Sequence, residues 1–353
     1  MIERLTQESI ILLQKLIAKP SFSSEEDETA LLIMQWFSTH DIKFESKGHN
    51  IWAKNKFFDI SKPTILLNSH HDTVKPNKGY TRDPFNAEII DGKIYGLGSN
   101  DAGGCLVSLM ALFTYFHKHQ DLKYNLIIVA SAEEESSGTN GLNSVLPVLP
   151  ELDFAIVGEP TKMQMAIAEK GLLVLDCYAH GVAGHAAHGV GENAIYKAVE
   201  AIEWFRNYQF RKESDTLGKI KMTVTQINAG DQHNVIPADC HFVVDIRVTD
   251  KYSNIEVLDI IKDHVNVEVK PRSLRLNSSS ISADHSIVKA GIAMGKKTYG
   301  SPTLSDQAVL SCPSLKLGPG DSLRSHTADE FIFVEEIEKG IKEYIELLDR
   351  VLH

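Results

Sequence analysis

The 353-residue sequence has no uncharged apolar run near the roughly 20 residues needed to span a bilayer, which argues against a membrane-embedded helix. It also lacks a dense lysine and arginine block that could track a phosphate backbone. Acidic side chains number 47 against 36 basic ones, a net charge of −11, so nucleic acid is not an expected partner. Cysteine is scarce. Cys105, Cys177, Cys240 and Cys312 lie too far apart to form the close pairs of a structural zinc site or redox motif, and read as small buried side chains in a reducing compartment. Segment 1–20 mixes charges with apolar residues at helical spacing, without the continuous apolar core or small-residue cleavage site of an export signal. A cytoplasmic protein with no membrane partner is the expectation.

What is present is an ordinary globular composition, 43% hydrophobic and 24% charged, in a chain long enough for two cores. Apolar runs at 64–68, 125–130 and 154–157 read as buried strands, with a helix at 103–119 between the first two. Alternating strand and helix imply an α/β domain: a mostly parallel sheet covered by helices, with ligands held at the carboxyl ends of the strands. The pattern then changes to strand 172–180, helix 192–208, strands 219–227 and 241–248, helix 254–264 and strand 265–270. That order is the one found in a ferredoxin-like α+β unit, expected here as an insertion at 169–278. A polar stretch at 276–283 reads as the return linker. A helix at 285–294, a strand at 314–317 and an amphipathic helix at 334–352 then complete a first domain made of 1–168 and 279–353.

The ends of the buried strands carry the chemistry. After the first comes Ser69-His70-His71-Asp72, in which His70 and Asp72 share a face of the extended chain, an imidazole beside a carboxylate able to orient it. Next is the turn Gly96-Leu97-Gly98-Ser99-Asn100-Asp101. It lacks the Lys-Ser/Thr ending of a phosphate loop and the ordered glycines of a dinucleotide fingerprint, and Asp101 would repel a phosphate. Its glycines let the backbone turn sharply toward a cation, to which Asp101 presents two oxygens. The second strand runs into Glu133-Glu134-Glu135, and the third into Gly158-Glu159-Pro160-Thr161. A solvated loop accounts for one such acidic run. Acids after three successive buried strands need compensating cations, because like charges in a low-dielectric site oppose one another's ionisation.

These segments, with Ser325-His326-Thr327-Ala328-Asp329-Glu330, occur in the order and approximate spacing of the acetylornithine deacetylase, succinyl-diaminopimelate desuccinylase and carboxypeptidase family, which the sequence resembles over nearly its whole length. The resemblance implies two Zn²⁺ ions, with Co²⁺ able to substitute. His70 and Glu159 would bind one, Glu135 and His326 the other, and Asp101 would bridge them. Asp72 would hold the imidazole of His70, and Glu134 would be the general base toward a water activated by the ions. Glu133 stands where the family has aspartate, and the glycine that follows comes later than usual, so a one-residue slip would exchange roles within Glu133-Glu134-Glu135.

In this family the inserted domain is a lid and dimerisation surface, which implies a homodimer. By the same resemblance His185, in Gly184-His185-Ala186-Ala187-His188, would reach the partner subunit's site and stabilise the developing oxyanion, and Arg247 would grip a substrate carboxylate. Asn234 and Gly318 are further substrate-side candidates, while His117, His119 and His353 read as solvent-facing. The implied reaction is hydrolysis of the amide bond of a small-molecule N-acyl amino acid, with N-acetylornithine, a substrate of arginine biosynthesis, first among candidates. N-succinylornithine, N-acetylcitrulline, acyl-lysine or diaminopimelate derivatives and dipeptide or carboxypeptidase substrates stay open. So does a non-catalytic metal-binding protein on the same scaffold, although a mere binder has no use for Glu134.

Overall fold

A computed structural model describes residues 1–353, which divide into two compact units. The first comprises Met1–Ile167, Ser280–Tyr299 and Ser305–His353; the second is Ala168–Ser279 with Gly300–Leu304.

In the first unit, α1 (Ile2–Ile17) turns Leu5, Leu12, Leu13 and Leu16 inward at helical intervals. It is followed by α2 (Asp27–Thr39), whose first turn carries Asp27 and Glu28, the sign of charge a helix N-terminus favours. A hairpin of β1 (Phe44–Lys47) and β2 (Asn50–Lys54) comes next. Strands β3 (Thr64–His70), β4 (Asn125–Ser131) and β5 (Phe154–Val157) are buried at every position, which is why they read as unbroken apolar runs. Between β3 and β4, α3 (Gly104–Phe116) is apolar almost all round and correspondingly buried. The strand β6 (Met165–Glu169) leads out of this unit.

The second unit contains β7 (Gly171–His180), α4 (Ala194–Asn207), β8 (Lys221–Ala229), β9 (Asp239–Val248), α5 (Asn254–Lys262) and β10 (Glu268–Pro271). Its sheet has the spatial order β8-β9-β7-β10 and is antiparallel throughout, the arrangement of a ferredoxin-like unit. Leu173, Leu175, Cys177 and Ala179 of β7, with Phe242, Val244, Ile246 and Val248 of β9, face one core with Ala198 and Phe205 of α4 and Val257 and Ile261 of α5. The period of two along each strand puts Asp245 and Arg247 on the opposite face. Ser253 and Glu256 form a reciprocal cap that fixes the start of α5.

The chain re-enters the first unit through α6 (Ser286–Ala293), β11 (Ser314–Lys316) and α7 (Val334–Leu352). The large sheet runs β1-β2-β4-β3-β5-β11-β6. Its centre, β4-β3-β5-β11, is parallel, as the alternating pattern requires, whereas β1, β2 and β6 join antiparallel. Helix α7 packs Ile337, Ile341, Tyr344 and Leu348 inward, and contacts α3. His117, expected in solvent, is instead 5% exposed at the C-terminal end of α3, where its ring packs on Phe113 and its carbonyl accepts the Lys56 N–H. No helix is long and apolar enough to cross a membrane.

Candidate metal centre

All the acids singled out at strand ends lie on the first unit, because parallel strands deliver their carboxyl ends to one edge. His70 closes β3 and is 1% exposed. Its Nδ1 donates to the Asp72 carbonyl at 2.9 Å, with the Asp72 carboxylate at 3.4 Å, so Nε2 points the other way. There it faces Asp101 at 3.4 Å, Glu134 at 3.9 Å and Glu159 at 4.0 Å. The second oxygen of Asp101 lies 3.7 Å from Nε2 of His326, which is within 3.0–3.1 Å of both Glu135 oxygens. Two triads therefore share one residue: His70, Asp101 and Glu159 in one, Asp101, Glu135 and His326 in the other, with the candidate ligand atoms of each within 4.8 Å of one another.

The backbone explains how the three consecutive glutamates diverge. Glu133 sits in the left-handed region, φ 54°, and its carboxylate turns outward to accept from Ser24 and from the backbone and side chain of Asn140. The N–H groups of Glu134 and Glu135 donate to the two oxygens of Asp72 at 3.0 and 3.1 Å, and Ser23 donates to the same carboxylate at 2.7 Å. Asp72 thus pins the glutamate loop as much as it orients His70. Neighbouring His71 is turned away, to Thr29 and the His49 carbonyl.

Two further acids belong to this edge and were given no role from the sequence: Asp306, and Glu330 at the end of the segment that carries His326. Asp306 accepts from Ser131 at 2.5 Å, directly across the strand register from His70, and burial pushes its carboxyl up to about 6. Glu330 is 2% exposed and accepts from the N–H groups of Gly98, Asn100 and Asp101. Its closeness to His326 in sequence is the one signal that could have drawn attention to it. Gly98, with φ 74°, makes that turn possible; a side chain there would also strike Thr73.

The remaining sequence candidates fall elsewhere. Gly318 is buried against the Glu159 backbone, where an added Cβ would come within 2.6 Å of the Glu159 carbonyl, so it supports the turn that presents Glu159. His185, Asn234 and Arg247 belong to the second unit. His185 is exposed in a short antiparallel bridge opposite Val235, and the Asn234 carbonyl accepts from Ala186. Arg247 holds Asp245 side-on, its Nε and Nη2 donating to the two carboxylate oxygens at 2.9 and 3.1 Å. The spacing Asp245-x-Arg247 on one strand face could have disclosed that pair.

The electrostatics are those of a site built for cations. Burial, followed by the Asp101 charge, pushes Glu159 up to about 8, and burial also holds Glu134 well above the ordinary carboxylate range. Burial works against an imidazolium at His70, but Glu134, Asp101 and Asp72 outweigh it and raise its proton affinity. Hydrogen bonding to Glu135 lifts His326 to about 9. Protons here do the neutralising that metal ions can do instead. Mixed imidazole and carboxylate donors, three per triad with His326 half open to solvent, fit a pair of borderline divalent ions each keeping one open position.

A sign follows for stability. Between the ordinary glutamate pKa and about 8, folded Glu159 binds more protons than the unfolded chain, as does folded His326 between its ordinary value and about 9, so stability of the metal-free protein falls as pH rises through this window. Bound divalent ions remove that slope by displacing the protons. In thermal melts from about pH 6 to about pH 9, the metal-stripped protein is expected to lose more stability than the metal-loaded one. Parallel curves would refute the proton–metal exchange.

A parallel sheet that gathers two imidazoles and several carboxylates at its carboxyl edge, with an α+β unit inserted in the chain, is the construction of a metallohydrolase. More specifically, the chain belongs to peptidase family M20/M25/M40, whose model matches residues 66–350. Among solved structures it is similar to an M20 family metallo-carboxypeptidase from Sulfolobus solfataricus, at TM-score 0.75 and 18% identity, covering 98% of this chain and 100% of that one. A tripeptidase from Staphylococcus aureus matches at 0.74 and 18%, covering 98% of each chain. A dinuclear metal-binding peptidase of the M20 family from Bacillus subtilis matches at 0.73 and 16%, covering 99% of this chain and 98% of its own. At these identities the likeness is one of fold. Family membership makes the protein a hydrolase of amide bonds.

Proposed function

We propose that the protein removes the acyl group from the nitrogen of a small N-acyl amino acid, with N-acetylornithine the first substrate to test. One observation carries the hydrolytic reading: Glu134 lies 3.9 Å from His70 Nε2, beside the first triad, yet belongs to neither. A carboxylate so placed is free to move a proton, which a metal carrier does not need.

His70, Asp101 and Glu159 would hold one divalent ion, and Asp101, Glu135 and His326 the other, zinc suiting this donor set. When bound, such ions supply Lewis acidity toward a carbonyl and acidify water. Asp72 keeps His70 in the tautomer with Nε2 free and fixes the loop of Glu134 and Glu135. Glu134 accepts a proton from the attacking water as the new C–O bond forms, then delivers it to the nitrogen as the C–N bond breaks. Arg247, once released from Asp245, is the proposed receptor for the α-carboxylate of the substrate, and His185, reaching the partner subunit's site, the proposed donor to its oxyanion.

The Gly158-Glu159-Pro160-Thr161 sequence, which looks most like the deacetylase branch, supports the acyl amino acid reading. A dipeptidase or carboxypeptidase reading is favoured instead by the names of the similar solved structures. Steady-state assays with zinc supplied, across N-acetylornithine, N-succinylornithine, N-acetylcitrulline, acyl-lysines and dipeptides, separate the two. The expected result is hydrolysis of an acyl amino acid, lost when its α-carboxylate is converted to an amide. Cleavage of dipeptides alone would overturn the deacylase assignment.

A further inference from the structure

We infer that Glu330 is the positioning residue for Asp101, tying the carboxylate shared by both triads to the loop that carries His326; the inference rests on the reading of Asp101 as a ligand to both ions. The turn 98–101 is irregular, and its converging N–H groups need an acceptor that the sheet does not supply. One Glu330 oxygen takes the Asn100 N–H at 2.8 Å and the Asp101 N–H at 2.9 Å, and the other takes Gly98 at 3.1 Å. The Glu330 carbonyl accepts from Gly96 at 2.9 Å as well.

The same short segment is anchored on its other side. Asn77 donates to the His326 carbonyl at 3.1 Å, and Asp329 accepts from the N–H of Thr81, its hydroxyl and the N–H of Arg82. Residues 326–330 therefore form a strap between the loop 77–82 and the turn 98–101, with a triad histidine at one end and the carboxylate that holds Asp101 at the other. A general loop staple would not need to bind the N–H of the shared ligand itself. Because Asp101 serves both triads, slack in its turn loosens both.

The test is Glu330→Gln in the full chain, with zinc affinity measured by chelator competition and amide hydrogen exchange followed over 96–103. Glutamine has one acceptor oxygen, and its amide nitrogen meets an N–H donor head on. Zinc affinity is expected to fall about 10- to 100-fold, the usual effect of losing a group that orients a ligand, with faster exchange at Gly98, Asn100 and Asp101. Glu330→Asp, which keeps the charge but shortens the reach, should give intermediate affinity and supplies the measurement if the glutamine variant does not fold. Wild-type zinc affinity in a folded Glu330→Gln or Glu330→Asp protein overturns the inference while leaving the triads standing. Failure of the unaltered chain to bind zinc removes the ligand reading and the inference together.

Discussion

Glu134→Ala is expected to lower turnover at least about a hundredfold, the lower end of general-base contributions, while zinc content stays at the wild-type level. The separation follows from the geometry. Each triad has its three donors without Glu134, and the Glu134 N–H keeps its bond to Asp72 whatever side chain follows. What the substitution removes is the carboxylate whose burial holds its proton affinity well above the ordinary glutamate range. A carboxylate beside His70 is placed to take a proton from the attacking water and to return it to the leaving amine. Loss of a buried, crowded carboxylate should not weaken the metal-free fold, so a lower turnover in an equally stable, zinc-replete protein assigns the role to Glu134. Unchanged turnover would reject Glu134 as the general base.

The parts of the fold that were legible in the sequence are those whose physics is local. Strands β3, β4 and β5 announce themselves because both faces are buried, and the inserted unit because β7 and β9 alternate inward and outward along a half-buried sheet. The hairpin β1–β2 was not legible. Its outer strand is short and open to solvent, so no apolar periodicity marks it.

The site divides in the same way. Acids that follow buried strands are conspicuous, since an unneutralised charge in that position is unfavourable. The divergence of Glu133, Glu134 and Glu135 depends on one left-handed residue and on Asp72 accepting two N–H groups, neither of which a run of identical residues can disclose. Glu330 lies still further from sequence reasoning, because the Gly98 N–H it satisfies is 232 positions away along the chain. Backbone partners of this sort leave no residue type to recognise.

Asp101→Ala should have the larger consequence, because it removes a donor from both triads at once. His70 and Glu159 remain on one side, Glu135 and His326 on the other, each pair one ligand short of what a catalytic zinc site ordinarily retains. Turnover is expected to fall about a thousandfold or more, since several kcal/mol of transition-state stabilisation leave with the ions. Unlike Glu134→Ala, the purified variant should carry less than the wild-type complement of metal by elemental analysis, and excess zinc should restore little activity. Asp101→Asn is the more discriminating partner. It preserves the shape of the turn and the N–H bond to Glu330, but offers one neutral oxygen where the carboxylate had two charged ones, one 3.4 Å from His70 and the other 3.7 Å from His326. If the shared carboxylate joins two ions, the asparagine variant should resemble alanine in metal content and activity. An asparagine variant that binds two zinc ions and turns over normally would show that the triads do not depend on a common charged ligand, and the two-ion centre proposed for this edge of the sheet would have to be redrawn.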